Sequence, residues 1–302
     1  MKKKIITKIS EGLGNQLFMY ANSFALSKKF DLDFYIDTSS GYYKRNKVYD
    51  YMLSNFNISS QFAPPKHVFA NPNRNVLKKT LIFFDKFKKK KKFIFEKKNK
   101  DKITNFYDIN ISNTHDYFYL DGNFESEKFF FDYYDDLLNE FSVKNLKQFN
   151  DNKYLNLIKS KNVVSICVRQ NRFSERSSNK QLINSINKSK LFVKETIDYI
   201  YKGIDYFNAK LKNPLYLVWS NDFKHLNKNF SNDKFIFVDN NQNKFLTDFF
   251  LLTQCKNFIV SPSTFNWWGA WLSKDKDKIC LRPRNLRISN NIDFWPEKWI
   301  SI

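Results

Sequence analysis

Arg169, Arg172 and Arg176 stand with Glu175 in a short polar stretch directly after the apolar run NVVSICV of residues 162–168. Guanidinium groups hold phosphate oxygens through paired N–H donors, and a carboxylate beside them could accept a proton. A run that is β-branched and apolar throughout predicts a strand buried on both faces, and open α/β sheets bind ligands beyond the carboxyl ends of such strands. A solvated basic loop is the plainer alternative, and the position after a buried strand counts against it. A second group with chemical capacity is Ser261-Pro262-Ser263-Thr264. Phe258-Ile259-Val260 before it predicts a short buried strand. The spacing of Leu246, Phe249, Phe250, Leu252 and Thr253 predicts a helix before that. Hydroxyls at the start of the next helix, expected near Phe265, can cap it, and its unpaired N–H groups and dipole favour phosphate. From this turn alone, an ordinary capped helix with a tryptophan-rich core face is the preferred reading.

The elements that would position these groups read as alternating strands and helices. Residues 3–10 predict a first strand, Glu11 to Gly14 a flexible turn, and Asn15-Gln16 the opening of a helix whose buried face is Leu17, Phe18, Ala21, Phe24 and Ala25. The GLGNQ spacing is not a dinucleotide fingerprint, and no phosphate-loop lysine follows it. DFYID at 33–37 predicts a second strand. YLVWSND at 216–222 predicts a buried strand ending in a polar loop, and residues 235–239 a further short one. Pro64-Pro65 and Asn71-Pro72-Asn73 signal turns. Asp248 taken alone is an exposed first-turn acid favoured by the helix dipole. Polar residues collect near position 150, which puts a boundary near 155 and predicts domains of 1–155 and 156–302.

Composition bounds the rest. The chain has 302 residues, 42% hydrophobic and 18% aromatic, enough for two folded domains and too apolar for disorder. Cys167, Cys255 and Cys280 are odd in number and far apart, which argues against a disulfide framework or zinc cluster and fits a reducing cytosol. His67, His115 and His225 have no metal-ligand spacing, so no metal is expected. The N-terminus MKKKIITKIS starts basic, but Lys8 and Glu11 interrupt any apolar core, so no signal peptide is expected, and no apolar run is long enough for a membrane span; a soluble, cytoplasmic protein is expected. Fifty-one Lys and Arg against thirty Asp and Glu leave a net charge of +21. That excess fits a polyanionic partner, although the Lys, Asn, Ile and Phe enrichment also matches an AT-rich genome. The cluster Lys88, Lys89, Lys90, Lys91 and Lys92, with aromatics interleaved around it, reads first as a solvated segment. The sharper reading is peripheral contact with an anionic leaflet at the inner face of a membrane.

Five ordered segments resemble glycosyltransferase family 11, the α-1,2-fucosyltransferase family. SPSTFNWWGAWL is similar to the family's (S/N)SSFSWWGAWL, and GLGNQLFMYA to its GLGNQ(L/M)FQYA, with Met19 in place of Gln. YFYLDGNFESEKFFF resembles YLxGYxQSxKYF, with Asn123 and Glu125 departing from it, and Ser126 is expected to start a helix through Tyr134 and Leu138. YLVWSND is similar to an FSDD-like segment. FWPEKWISI resembles the terminal (W/Y)P..W segment, expected to pack back across the domains after Arg282-Pro283-Arg284 ends the sheet. Where the family has HxRRxD, this chain has Cys167-Val168-Arg169-Gln170-Asn171-Arg172, keeping the first arginine alone.

The resemblance implies an α/β, GT-B-like architecture of two Rossmann-like domains facing across a cleft, the first on the acceptor side and the second binding a GDP-sugar. It implies inverting transfer of L-fucose from GDP-fucose to a galactose 2-hydroxyl, without cofactor or essential metal. Catalytic roles then fall to Arg169, Glu175 and Asn15, with Glu175 as candidate base. Donor contacts fall to Gly14, Gln16, Arg169, Arg172, Asp222, Asp248, Ser263 and Thr264, with Asp248 accepting from guanine N1 and N2. A same-fold transferase using another GDP-sugar is the near alternative. A basic nucleic-acid-binding protein, which would leave the two phosphate-type turns unexplained, and a non-catalytic glycan-binding module are the distant ones, so no nucleic acid is expected.

Overall fold

Ile5 and Ile6 of strand β1 (Lys4–Lys8) serve opposite faces of one sheet, as the two-residue period of a strand requires. The computed structural model describes residues 2–43, 49–112, 114–175, 177, 181–240 and 244–302, and divides the chain into two units. Arg176 lies outside the described residues.

The first unit holds Met1–Lys144 and Ser289–Pro296. After β1 come α1 (Leu13–Lys29), β2 (Asp33–Asp37), β3 (Gln61–Phe62), α2 (Pro72–Asp85), β4 (Phe93–Phe95), β5 (Tyr117–Asp121) and α3 (Tyr134–Glu140). The strands form one parallel sheet in the order β3-β2-β1-β5-β4. Ile5, Phe118 and Leu120 pack with Leu26 of α1 on one face, while Ile6, Tyr119 and Phe93 pack with Leu81 and Ile82 of α2 on the other. Asn71-Pro72-Asn73 proves to be a helix start. Asn71 caps α2 by accepting from the Arg74 N–H at 2.9 Å, and proline is pre-set for the first helical position. Ser126 caps only a short 3₁₀ turn, Glu127–Phe129, and the α-helix begins later, at Tyr134.

The second unit holds Asn145–Ile288 and Glu297–Ile302. It contains α4 (Lys153–Ser160), β6 (Val163–Val168), α5 (Leu182–Lys210), β7 (Leu215–Ser220), β8 (Phe235–Phe237), α6 (Lys244–Gln254), β9 (Asn257–Ile259), α7 (Thr264–Trp271), β10 (Ile279–Arg282) and β11 (Ile300–Ser301). Its sheet is also parallel, in the order β11-β10-β9-β6-β7-β8. All of β6 is buried, because β7 and β9 flank it and α5 covers it through Ile197, Ile200, Ile204 and Phe207. Arg282 does not end the sheet. Leu281 and Arg282 pair with Ile300 and Ser301, so the C-terminal residues form its edge.

The units divide at Lys144, earlier than the polar cluster near 150 suggested. Phe149 stacks on Phe250 of α6 at 4.3 Å, and Asn152 caps α4 through the Tyr154 N–H at 2.9 Å. Those contacts assign residues 145–155 to the second unit. Residues 289–296 return to the first, where Thr104 bridges to Asn291 and the Phe106 N–H donates to Asp293 at 2.8 Å. Two parallel sheets, each with its own helices, make the chain an α/β, GT-B-like protein of two Rossmann-like units.

Candidate functional site

In the second unit, three adjacent strands end side by side, and the predicted groups stand just beyond them. β6 ends at Val168 and leads into Arg169. The Arg169 Nη2 donates to Glu175 Oε2 at 2.6 Å, so the loop folds its carboxylate back on its own guanidinium. Asn171 makes that reversal possible with a left-handed φ of 56°, a conformation asparagine tolerates better than most side chains. Gln170 lashes the loop to the end of β7. Its N–H donates to Asn221 Oδ1 at 2.7 Å, and its side-chain amide donates to the carbonyls of Asp222 and Lys224 at 2.6 and 3.0 Å. Asn221 answers by donating to the Gln170 carbonyl at 3.1 Å and to Glu175 Oε1 at 3.4 Å. Asn221 was missed from sequence, since nothing local distinguishes it from other loop asparagines. Arg172 sits with its guanidinium 5.7 Å from the Phe192 ring of α5.

The third loop follows β9. Ser261 Oγ donates to the Cys167 carbonyl, tying this turn to β6. Ser263 is the N-cap residue of α7, one position earlier than a start near Phe265 implied, yet its hydroxyl makes no capping bond. Thr264, the first residue of α7, is partly exposed. Asn266, early in α7, is fully buried, and among the described residues neither amide atom has a hydrogen-bond partner. A buried amide without partners costs free energy that a bound polar ligand could recover. The helix is fixed behind the turn by Trp267, Trp268 and Trp271, all buried, with Trp299 against Trp267 at 5.6 Å.

Asp248 is a buried acid on α6 rather than an exposed first-turn one. Its Oδ1 accepts from Asn240 Nδ2 at 2.6 Å, and Asn240 Oδ1 accepts from Asn152, the α4 cap, at 3.2 Å. Cys167 lies near enough to feel that charge. Burial first, then the Asp248 carboxylate, hold its thiol well above the usual range, which leaves it an inert wall. Asp222 is used by its own loop: Oδ1 accepts from the Lys224 N–H at 2.8 Å in an Asx turn. The second unit thus brings Arg169, Glu175, Asn221 and the Ser263–Thr264 turn to one edge of its sheet.

The first unit carries Gly14, Asn15 and Gln16 at the start of α1, following the carboxyl end of β1. The turn rests on Glu11, whose φ of 67° is left-handed, whereas no described glycine has a positive φ. A non-glycine residue in that region marks a constrained turn. The Asn15 amide donates to the Glu11 carboxylate. Gln16 is fully buried and works as a bridge. It donates to the carbonyls of Glu11 and Asp50, both at 2.8 Å, and accepts from the Met52 N–H at 2.9 Å. The same sheet edge holds Asp121 at the end of β5, paired with Lys8 and, at 3.0 Å, with Lys78. Burial alone would raise the Asp121 carboxyl, but the two lysines outweigh it and hold it below its usual range. Among the described residues, no three His, Cys, Asp or Glu side chains gather as metal ligands would.

Comparison with known proteins gives concordant matches. The model for glycosyl transferase family 11 matches residues 4–301. The O-antigen biosynthesis glycosyltransferase WbnK of Escherichia coli is 27% identical over 316 aligned residues, covering 97% of this chain and 99% of the relative. An alpha-1,2-colitosyltransferase of Escherichia coli is 25% identical over 308, covering 99% and 98%. Among solved structures, the NodZ alpha-1,6-fucosyltransferase shares the fold with a TM-score of 0.55 at 11% identity, covering 90% of this chain and 93% of that one.

Proposed function

The chain belongs to glycosyl transferase family 11, hence is a glycosyltransferase, and we propose that it moves L-fucose from GDP-fucose to the 2-hydroxyl of a galactose with inversion. One observation carries this reading. Arg169 and the N-terminus of α7, with the Ser263 hydroxyl that makes no capping bond and the buried Asn266 amide, lie beyond neighbouring strands of one sheet. A departing GDP needs its pyrophosphate charge neutralised, and preorganised donors at that edge could do so without a metal. In this reading the second unit holds the donor, with Asp248 accepting from the guanine edge and Asn240 orienting it. The first unit takes the acceptor side, with Asn15 at its sheet edge.

The acceptor hydroxyl oxygen bonds to the anomeric carbon as that carbon's bond to the GDP oxygen breaks. The hydroxyl proton passes to a base, for which Glu175 is the candidate. Glu175 is held by Arg169, so incoming pyrophosphate would compete for the guanidinium and release the carboxylate. The whole-length likeness to an O-antigen glycosyltransferase supports a place in bacterial surface polysaccharide synthesis. Three buried thiols support a reducing, cytoplasmic setting.

A second reading, transfer of another GDP-sugar, is favoured by two observations. The loop keeps only Arg169 of HxRRxD, and a relative of nearly equal length is named for colitose. The test is GDP release with GDP-fucose, GDP-mannose and GDP-colitose, each with and without a terminal β-galactoside. Release from GDP-fucose that rises with the galactoside is expected. Preference for another donor would replace fucose, and silence together with no GDP binding would remove the donor assignment.

A further inference from the structure

We propose that the outer face of α2, with the basic loop after it, docks on an anionic lipid bilayer. Helix α2 has two apolar sides. Leu81 and Ile82 face the sheet, whereas Val76, Leu77, Phe83, Phe84 and the following Phe87 face solvent. Their positions recur at three-, four- and seven-residue intervals, so they form one stripe along the helix. Phe83, Phe84 and Phe87 are 55, 61 and 75% exposed, with ring centroids 5.7 Å apart between Phe83 and Phe84 and 5.3 Å between Phe83 and Phe87. Scattered surface phenylalanines are ordinary, but three exposed rings joined through Phe83 form a patch.

Lysines flank that stripe. Lys79, Lys86, Lys88, Lys89 and Lys90 are all exposed. The loop bearing them is built rather than loose. The Asp85 carboxylate accepts from the Lys92 and Phe93 N–H groups at 2.8 and 2.9 Å, which turns the chain sharply from α2 into β4. Lys91 Nζ donates to the Asp85 carbonyl at 3.1 Å, and Lys92 lies over the Tyr117 ring at 4.2 Å. Two of the five lysines in the Lys88–Lys92 run therefore serve the fold, leaving Lys88, Lys89 and Lys90 beside the aromatic stripe.

Aromatic rings enter the headgroup boundary while lysines meet its phosphates, and this face offers both. A second copy of the chain on the same stripe would set the two lysine clusters against each other. No helix among the described residues is long and apolar enough to cross a membrane, so the contact is with the surface.

The experiment is co-sedimentation of the full chain with vesicles of phosphatidylcholine alone, or of phosphatidylcholine mixed with phosphatidylglycerol. Binding to the anionic vesicles only, weakened by salt, is expected. Replacing Lys88, Lys89 and Lys90 by Gln should lower the partition coefficient about fivefold per residue. Phe83→Ser with Phe84→Ser and Phe87→Ser should lower it at least tenfold at a salt concentration that already screens the lysines. Phe87→Trp, which keeps an aromatic ring, should show a blue-shifted emission when anionic vesicles are added. No binding to anionic vesicles overturns the proposal. So does an unmoved Phe87→Trp emission with unchanged binding of the serine variant. So, too, does a solution dimer that the serine substitutions dissociate while vesicle binding stays the same.

Discussion

Arg169 and Glu175 are joined at 2.6 Å across a single loop, and Asn221 reaches the other carboxylate oxygen from the end of the neighbouring strand. The cation proposed to hold the donor and the carboxylate proposed to take the proton thus begin as each other's partner. In the proposed mechanism, incoming pyrophosphate competes for the Arg169 N–H groups that Glu175 holds, which would link base release to donor arrival.

Arg169→Ala removes the one arginine retained from HxRRxD. A preorganised donor to developing negative charge contributes about 10²–10³ in turnover. We expect kcat to fall by that order, with weaker GDP binding by calorimetry. Arg169→Lys should recover little, because an ammonium cannot bridge two oxygens as a guanidinium does.

Glu175→Gln separates two roles. Removing the charge that competes for Arg169 should tighten GDP binding, while loss of the base should cut kcat about 10²-fold or more. Tighter GDP binding with near-normal kcat would leave Glu175 as a holder of Arg169 alone. Asn221→Ala should move the same two quantities in smaller measure, since the Asn221 bond at 3.4 Å is long.

His67 ties stability to pH. Burial, then the charges of Lys66, Lys4, Lys92 and Arg74, lower its pKa from the ordinary 6.5 to about 4. Below pH 6.5 the unfolded chain takes up a proton that the native imidazole refuses until about pH 4. This contribution to stability is therefore whole above pH 6.5 and declines as pH falls toward 4. The His67 ring lies 4.0 Å from that of Tyr117, so His67→Phe keeps an aromatic ring there and should flatten Tm against pH across that window. An unchanged slope would assign the loss to other groups.

Gly269 lies inside α7, where alanine would ordinarily gain about 1 kcal/mol of helix propensity. A Cβ there would stand 2.8 Å from the Leu252 Cβ of α6. Overpacking a tight contact costs about 1–3 kcal/mol, so the clash outweighs the propensity. Gly269→Ala should lower Tm and disturb the Ser263–Thr264 turn that α7 carries.

What the sequence determined by itself were the features that depend on neighbours along the chain. The β-branched, apolar run NVVSICV marks a buried strand, and the helix, strand, hydroxyl turn and helix of residues 244–271 follow from local periodicity and turn residues. The five ordered segments carried the family and the two-unit α/β class. Tertiary structure decided the features that depend on distant partners. Asp248 reads as an exposed acid until Asn240 and Asn152 close over it, and nothing near Gln16 in sequence foretells that its amide bridges to Asp50 and Met52. Arg282 ceases to be the sheet edge because Ile300 and Ser301 come back to pair there. Residues 145–155 join the second unit through Phe149 on Phe250. Periodicity records which side of an element is apolar. It does not record which remote backbone will use a polar side chain, because that is set by the packing of elements far apart in the chain.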